Sequence, residues 1–163
     1  MKGLFKSFTY AFEGIGYCLS HERNMRIHLC FTVYMFGFLT VYDFFEVTKA
    51  EIGVLLALCA LVLSLECINT AIEKAVDLVT KEKSKIAKIA KDAAAGAVLV
   101  SAIISVVAGI VILYQPEAFV KMFEYYKENI PVFIGFVISF IVSLIFVFAG
   151  PVGIKNFFKK HVK

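Results

Sequence analysis

The chain has 163 residues, of which 60% are hydrophobic, and its mean hydropathy is +0.83. A soluble domain of this size could not bury so much apolar surface, so the composition excludes an ordinary soluble protein and indicates contact with lipid. The net charge of +4 is modest, and the basic residues gather in particular loops, which is typical of membrane orientation and not of nucleic-acid binding.

The N-terminal segment, residues 1–20, predicts an amphipathic helix on the membrane surface. Phe5, Phe8, Phe12 and Ile15 recur at helical spacing, while charged side chains lie off that stripe. A charged residue interrupts the apolar stretch and no small-residue cleavage site follows it, so we do not expect a cleavable signal peptide.

Four apolar segments follow, and we expect each of them to cross the membrane. They cover residues 27–45, 52–79, 93–114 and 131–150. The second is apolar only as far as Leu65, so its helix must carry polar side chains into or beside the hydrocarbon layer in order to cross. The predicted fold is therefore an all-α, polytopic membrane helix bundle, with a surface helix, three core transmembrane helices and a fourth C-terminal transmembrane helix.

We divide the chain into a membrane domain, residues 1–114, and an addition, residues 115–163. The addition holds a linker outside the bilayer, the fourth span and a basic tail. Two interpretations stay open for residues 115–130: a short amphipathic helix and a solvated linker.

Loop charges predict the orientation of the chain. The basic loop residues are Lys2, Lys6, Arg23, Arg26, Lys81, Lys83, Lys85, Lys88, Lys91, Lys155, Lys159, Lys160 and Lys163. They lie before the first span, between the second and third, and after the fourth, whereas the other two loops are acidic on balance. The positive-inside rule then predicts cytoplasmic N- and C-termini and an even number of spans.

The second span ends in a polar face. Glu66, Asn69, Glu73 and Asp77 are spaced by 3, 4 and 4 residues, so they fall within an arc of about 80° on one side of a helix. The three carboxylates repel one another unless a metal or cationic partners offset them. Mg²⁺ prefers one or two carboxylates together with phosphate oxygens and water, so this face suits a metal–nucleotide complex.

The start of the third span supplies a possible cationic partner. Lys91 and Asp92 open this helix, where a lysine can meet phosphate oxygens beside free backbone amides. Ala95 belongs to a run of small residues that permits close approach of a helix or a ligand. Spacing alone leaves three hypotheses open: a metal–phosphate site, an ion or proton pathway, and hydrogen bonds that only hold helices together.

Two motifs carry a family resemblance: ECINTAIEKAVD at residues 66–77 and AKDAAAGAV at residues 90–98. They resemble the signature of the prokaryotic diacylglycerol kinase family. The upstream segments SFTYAFEG, 7–14, and ERNMRIH, 22–28, are similar to its Gram-positive branch, which phosphorylates undecaprenol. The resemblance covers residues 2–114.

The resemblance implies an ATP-dependent lipid kinase that transfers the γ-phosphate of ATP to the hydroxyl of a membrane lipid alcohol, preferably undecaprenol. Diacylglycerol is the alternative acceptor, and a small ion- or proton-coupled transporter and a non-catalytic scaffold are alternative functions. The resemblance also implies Mg²⁺ with ATP, a homotrimer in the bacterial cell membrane, and sites between protomers at the cytoplasmic interface.

The family's motif assigns expected roles to individual residues. Glu66 matches the general base for the lipid hydroxyl, and Glu22 and Glu73 match the carboxylates that hold the metal with ATP. The ATP-binding set is completed by Tyr10, Lys91 and Asp92, with Lys91 on the phosphates. The positions expected to support the active site are Asn69, Asp77 and Ala95.

Three features of the sequence fall outside this assignment. The family often has a tyrosine–histidine pair followed by proline where this chain has KSK at residues 83–85, so contacts to the nucleotide base and ribose are expected to differ there. We expect His28 to be an interfacial residue at the start of the first span. Structural and catalytic roles for Arg26 stay open.

Overall fold

The computed structural model describes residues 2–80, 82 and 84–161, without the side chains of Lys2 and His161. All regular structure in these residues is α-helical, as predicted. The helices are α1 (Lys2–His21), α2 (Arg23–Val41), α3 (Lys49–Val79), α4 (Lys85–Leu113), α5 (Pro116–Glu128) and α6 (Ile130–His161). Three basic residues used in the charge pattern, Lys81, Lys83 and Lys163, lie outside the described residues.

Local sequence signals account for several helix starts. Thr48 caps α3 through a capping box, in which its hydroxyl accepts from the Glu51 backbone N–H while the Glu51 carboxylate accepts from the Thr48 backbone N–H. Pro116 stands in the first turn of α5, where its missing N–H costs nothing. The amphipathic-helix interpretation of residues 115–130 is therefore confirmed over most of that stretch.

The helix α6 is broken at Gly150, where the predicted fourth span ends. Gly150 has φ 64° and ψ 168°, and Pro151 follows it. Glycine adopts this positive φ without the penalty that a side chain would bring, and the proline cannot donate a backbone hydrogen bond to the preceding turn. The apolar part of α6 thus ends at a sharp change of direction before the basic tail.

Among the residues that the structure describes, three helices are long and apolar enough to cross a membrane: Lys49–Val79, Lys85–Leu113 and Ile130–Lys160. Only 17%, 11% and 6% of their most apolar windows are buried within the chain, so their surfaces require lipid or protein neighbours. The 19-residue α2 carries Arg26 and His28 in its first turns and is not in this group.

Although α2 is not in this group, it packs against α6 and α3 in the bundle. It lies antiparallel to α6, because Arg26 contacts Val147 while Phe38, three turns later, packs edge-on against Phe136. Between these ends, the Tyr34 hydroxyl bonds to Ser139 and to Ser143. The other face of α2 packs on α3, which forms a hairpin with α4. The helix α2 therefore accompanies α6 along the length of its apolar part.

The end of the bundle opposite the Gly150 break is closed by polar and aromatic contacts. Gln115 donates to the Glu46 carbonyl and accepts from the Glu46 backbone N–H, both at 3.0 Å, which ties the α2–α3 loop to the start of α5. Tyr126 packs against Tyr42, and burial, followed by the hydrogen bond to Tyr42, raises the pKa of Tyr126. These contacts fix α5 across the end of the bundle.

Candidate active site

The predicted polar face of α3 includes a buried carboxylate, that of Glu66. Glu66 is only 2% exposed, and the next residues on the face, Asn69 and Glu73, are half-buried. One turn beyond Glu66, the Thr70 hydroxyl donates to the Glu66 carbonyl at 3.0 Å. A carboxylate in such surroundings is costly unless other groups compensate it, which is why intramembrane carboxylates commonly mark functional sites.

His28 of α2 provides the nearest polar group to this carboxylate. Its Nε2 lies 3.4 Å from Glu66 Oε1, and its side chain is 26% exposed. Within the part of the chain that the structure describes, Glu66 Oε1 and Asn69 Oδ1 are buried and accept no hydrogen bond. Two unpaired acceptors side by side indicate that a further donor, such as a substrate hydroxyl, belongs here.

Asn69, about one helical turn after the buried carboxylate, bonds to a more open one. Its Nδ2 donates to Glu73 Oε1 at 3.3 Å, one helical turn toward the end of α3. The amide therefore orients Glu73 while leaving the other carboxylate oxygen available. Oxygen donors of this kind suit Mg²⁺, which keeps part of its coordination for water and phosphate.

Glu22 approaches the same end of α3 from the junction of α1 and α2. It is the N-cap residue of α2 and its carboxylate makes no capping hydrogen bond, while its backbone N–H donates to the Cys18 carbonyl at 2.8 Å. It lies close enough to Lys74 to interact electrostatically. No cluster of three or more His, Cys, Asp or Glu side chains suited to a metal occurs among the described residues. A pair of carboxylates fits a metal whose remaining ligands are phosphate and water.

Lys91 is held by Asp77. The ammonium group of Lys91, in the second turn of α4, forms an ion pair and hydrogen bond with the carboxylate of Asp77, near the end of α3. Both side chains are solvent-accessible, at 34% and 57%. An exposed pair contributes little to stability, on the order of 0–1 kcal/mol, so an incoming phosphate can compete with Asp77 for the lysine.

Three predicted site residues stand apart in the isolated chain. Tyr10, Asp92 and Ala95 are exposed, and none of the hydrogen bonds or ion pairs among the described residues joins them to Glu66. Tyr10 packs instead beneath Lys6, whose Nζ lies 5.8 Å from the ring centroid. The structure thus gathers Glu66, Asn69 and Glu73 on one face and pairs Lys91 with Asp77.

Sequence reasoning missed the contact of His28 with Glu66. We expected His28 to be interfacial and predicted no partner for it, and its Nε2 lies 3.4 Å from the buried carboxylate of the neighbouring helix. The available signal was the cost of an imidazole within an apolar span, which calls for a polar partner. The partner itself depends on how α2 and α3 are placed against each other, which the period of either helix does not specify.

Arg26 is buried and bonds to two backbone carbonyl groups, which indicates a structural role. It is 5% exposed, its Nε donates to the Val147 carbonyl at 3.1 Å, and its Nη1 donates to the Leu19 carbonyl at 3.0 Å. Four residues after Val147, Pro151 has no N–H with which to satisfy that carbonyl. Arg26 therefore supplies the missing donor and joins the end of α1 to the break in α6.

Comparison with known proteins identifies the family. A model described as prokaryotic diacylglycerol kinase matches residues 9–113, which is more than half of the chain. The chain belongs to the prokaryotic diacylglycerol kinase family. The match ends with α4, so α5 and α6 lie outside the part that defines the family.

Curated members of the kinase family are similar over the same region. The chain is 43% identical to the undecaprenol kinase of Bacillus subtilis over 110 residues, or 66% of this chain and 85% of that protein. It is 40% identical to a diacylglycerol kinase of Synechocystis over 114 residues, or 69% of this chain and 63% of that protein, less than two thirds of its length. A diacylglycerol kinase of Helicobacter pylori is 36% identical over 105 residues, covering 63% and 77% of the two chains.

Proposed function

We propose that this protein is an ATP-dependent lipid kinase that transfers the γ-phosphate of ATP to the hydroxyl of a membrane lipid alcohol, with undecaprenol as the preferred acceptor. The observation that carries the proposal is the buried Glu66 carboxylate, whose Oε1 has no hydrogen-bond donor in the described chain. The similarity to the undecaprenol kinase of Bacillus subtilis, which extends over 85% of that protein, supports undecaprenol. Two relatives named as diacylglycerol kinases make diacylglycerol the second candidate.

Glu66 acts as the general base in this proposal. The lipid hydroxyl donates to Glu66 Oε1 and passes its proton to the carboxylate as its oxygen forms a bond with the γ-phosphorus. The bond from that phosphorus to the bridging oxygen breaks, and ADP leaves. Such proton transfer contributes roughly 10²- to 10⁴-fold to a rate. His28 holds the carboxylate in position, and Asn69 orients Glu73.

The open end of α3 would bind the nucleotide phosphates. Glu22 and Glu73 would hold Mg²⁺, which when bound supplies positive charge to the phosphates. Lys91 would exchange Asp77 for a phosphate oxygen. Tyr10, Asp92 and Ala95 are exposed and form no hydrogen bond or ion pair with Glu66 among the described residues, so we infer that they serve a site completed by a neighbouring protomer in a homotrimer.

We further propose that the chain crosses the bacterial cell membrane four times with both termini in the cytoplasm. The antiparallel packing of α2 along the apolar part of α6 supports this, because a helix alongside a spanning helix must traverse the same thickness. Its 19 residues measure about 28 Å at 1.5 Å per residue, close to the hydrocarbon thickness. The loop charges support the cytoplasmic placement of the termini.

The decisive experiment offers labelled γ-phosphate in Mg-ATP to purified protein in lipid micelles, with undecaprenol and diacylglycerol supplied separately. We expect labelled undecaprenyl phosphate from the wild type and a rate at least about a hundredfold lower for Glu66→Gln. Glu117→Gln, which removes an exposed charge from α5, is the matched control and should keep the wild-type rate.

Each outcome of this experiment is informative. More product from diacylglycerol than from undecaprenol would replace the preferred acceptor and keep the kinase. A Glu66→Gln rate equal to the wild-type rate would remove Glu66 as the base. No labelled lipid from folded wild-type protein would refute the kinase proposal.

A further inference from the structure

Two apolar cavities meet along α2. The first, of about 540 Å³, lies between α2, α3 and α4, and the second, of about 830 Å³, lies between α2, α5 and α6. Both are lined by Phe31, Met35, Leu113 and Phe119. Because both cavities border these same side chains, they adjoin each other, and we call the pair the long groove.

One end of the long groove lies at the candidate active site. His28 lines the first cavity, and its Nε2 is 3.4 Å from Glu66 Oε1. Two hydroxyls along this cavity are engaged elsewhere: Thr32 donates to the His28 carbonyl at 2.8 Å, and Ser105 donates to the Ser101 carbonyl at 2.7 Å. The walls of the first cavity between His28 and Leu113 are therefore mainly apolar.

The other end of the long groove is built by the helices outside the family match. Its walls there are the aromatic side chains of α2, α5 and α6, among them Phe123, Phe133 and Phe136. Tyr34 also lines it, but its hydroxyl is taken up by Ser139 and Ser143. These aromatic walls bury hydrocarbon, and Lys127 is the charged residue that also lines this cavity.

We propose that the long groove holds the tail of a single-chain, long polyisoprenyl alcohol and that α5 and α6 select for the length of that tail. This inference rests on the proposed kinase function. The hydroxyl of the alcohol would lie at the His28 end of the first cavity, near Glu66, and its single tail would continue past the shared walls into the second cavity. Diacylglycerol branches into two chains next to its hydroxyl and would need two paths beginning at Glu66. Undecaprenol has one long apolar tail beyond its hydroxyl, which is the shape that the long groove fits.

Gly109 offers a way to narrow the first cavity one helical turn before Leu113, which lines both cavities. It lines the first cavity, and a Cβ placed on it would meet no atom within 4 Å. Gly109→Leu therefore projects into the groove without forcing the backbone to move. Gly135→Leu is the matched control, because Gly135 is an exposed α6 glycine, lines neither cavity and also has free space around its Cβ.

The test measures kcat/KM for undecaprenol and for geranylgeraniol, a short polyprenol that the first cavity alone can hold. Gly109→Leu should lower kcat/KM for undecaprenol by about tenfold or more and should lower the value for geranylgeraniol less, because the shorter tail does not have to pass into the second cavity. Gly135→Leu should change neither value. Equal losses for both alcohols, or no loss for undecaprenol, would overturn the inference.

Failure of the inference is distinguishable from failure of the kinase proposal. If the wild-type protein phosphorylates neither alcohol, the kinase proposal fails and the inference fails with it. If the wild type phosphorylates both and Gly109→Leu does not separate them, only the long groove is refuted.

A second measurement uses the wild-type protein and does not depend on how the variant folds. An undecaprenol analogue with a photoreactive diazirine at its far end is bound in micelles, irradiated, and located by peptide mass spectrometry. We expect labelling of α5 and of α6 near Phe133 and Phe136, removed by excess undecaprenol. Labelling spread over the exposed face of α6, or labelling that excess undecaprenol does not reduce, would show ordinary contact with surrounding lipid and refute the proposal.

Discussion

The kinase core, residues 9–113, and the C-terminal addition, α5 and α6, differ in the kind of side chain they bury. The core buries a carboxylate, Glu66, and a guanidinium, Arg26, within the bundle. The addition has no charged residue from 131 to 150 and meets α2 through aromatic rings and two serine hydroxyls.

We infer from this difference that the core carries the reactive groups and that the addition provides their surroundings. Charged groups are retained inside a membrane protein where a reaction or an obligatory contact requires them, since each is costly. The addition carries none in its span, so we expect it to affect stability and the choice of lipid and to leave phosphoryl transfer itself unchanged. Substitutions on the two sides of α2 test this expectation, because one side faces Glu66 and the other faces α6.

His28→Leu should produce the larger effect on rate. It removes the imidazole whose Nε2 lies 3.4 Å from Glu66 Oε1, so the carboxylate loses a contact that holds its orientation. We expect kcat to fall roughly ten- to a hundredfold, with KM for Mg-ATP and thermal stability unchanged. Steady-state kinetics with varied lipid and varied ATP measure kcat and KM separately.

The conservative variant His28→Gln distinguishes positioning from packing. Its amide nitrogen can occupy nearly the place of the imidazole Nε2, so it should recover part of kcat. If His28→Gln and His28→Leu are equally slow, or if His28→Leu mainly lowers stability, His28 fills space and does not position the base.

The contrast between His28 and Glu66 shows what the sequence can reveal. The spacing of Glu66, Asn69 and Glu73 predicted a shared face, because the helical period acts within one segment and needs no knowledge of its neighbours. The contact with His28 joins two helices whose relative rotation is set by packing. Neither the period of α2 nor that of α3 contains that information.

The same reasoning applies to the fold. The end of the fourth apolar segment at Gly150 was predictable, because the change from apolar to basic residues is local and coincides with a Gly-Pro pair. The helix α4 starts at Lys85, eight residues before the predicted span, because its charged first turns are helical although they are not apolar. Apolarity located the membrane segment and could not locate the helix end beyond it.

Arg26→Leu should act on stability and spare the chemistry. The substitution leaves the Val147 and Leu19 carbonyls without their side-chain donor in a buried setting. We expect a loss of about 2 kcal/mol of unfolding free energy, measured in micelles by circular dichroism during denaturation. Arg23→Leu, at an exposed arginine in the same segment, is the control and should change stability by less than about 0.5 kcal/mol.

The kinetic result for Arg26→Leu settles its role. A folded variant that retains the wild-type kcat assigns Arg26 to structure, as its contacts indicate. A folded variant of wild-type stability with little activity would instead place the guanidinium in the reaction and contradict the division between core and addition.

Tyr34→Phe should give the smallest effect and the most specific one. It removes the hydroxyl that bonds to Ser139 at 3.0 Å and to Ser143 at 2.9 Å while keeping the ring against Phe136 and Phe140. Interhelical hydrogen bonds in membranes average about 0.6 kcal/mol, so we expect a loss of that size in the same denaturation assay. Tyr114→Phe, at a 72% exposed tyrosine, is the control and should leave stability unchanged.

Because the Tyr34 hydroxyl lies on the side of α2 away from Glu66, kcat of Tyr34→Phe should stay at the wild-type value. A fall in kcat without a fall in stability would mean that α6 influences the reaction through α2, and the addition would then belong to the catalytic unit.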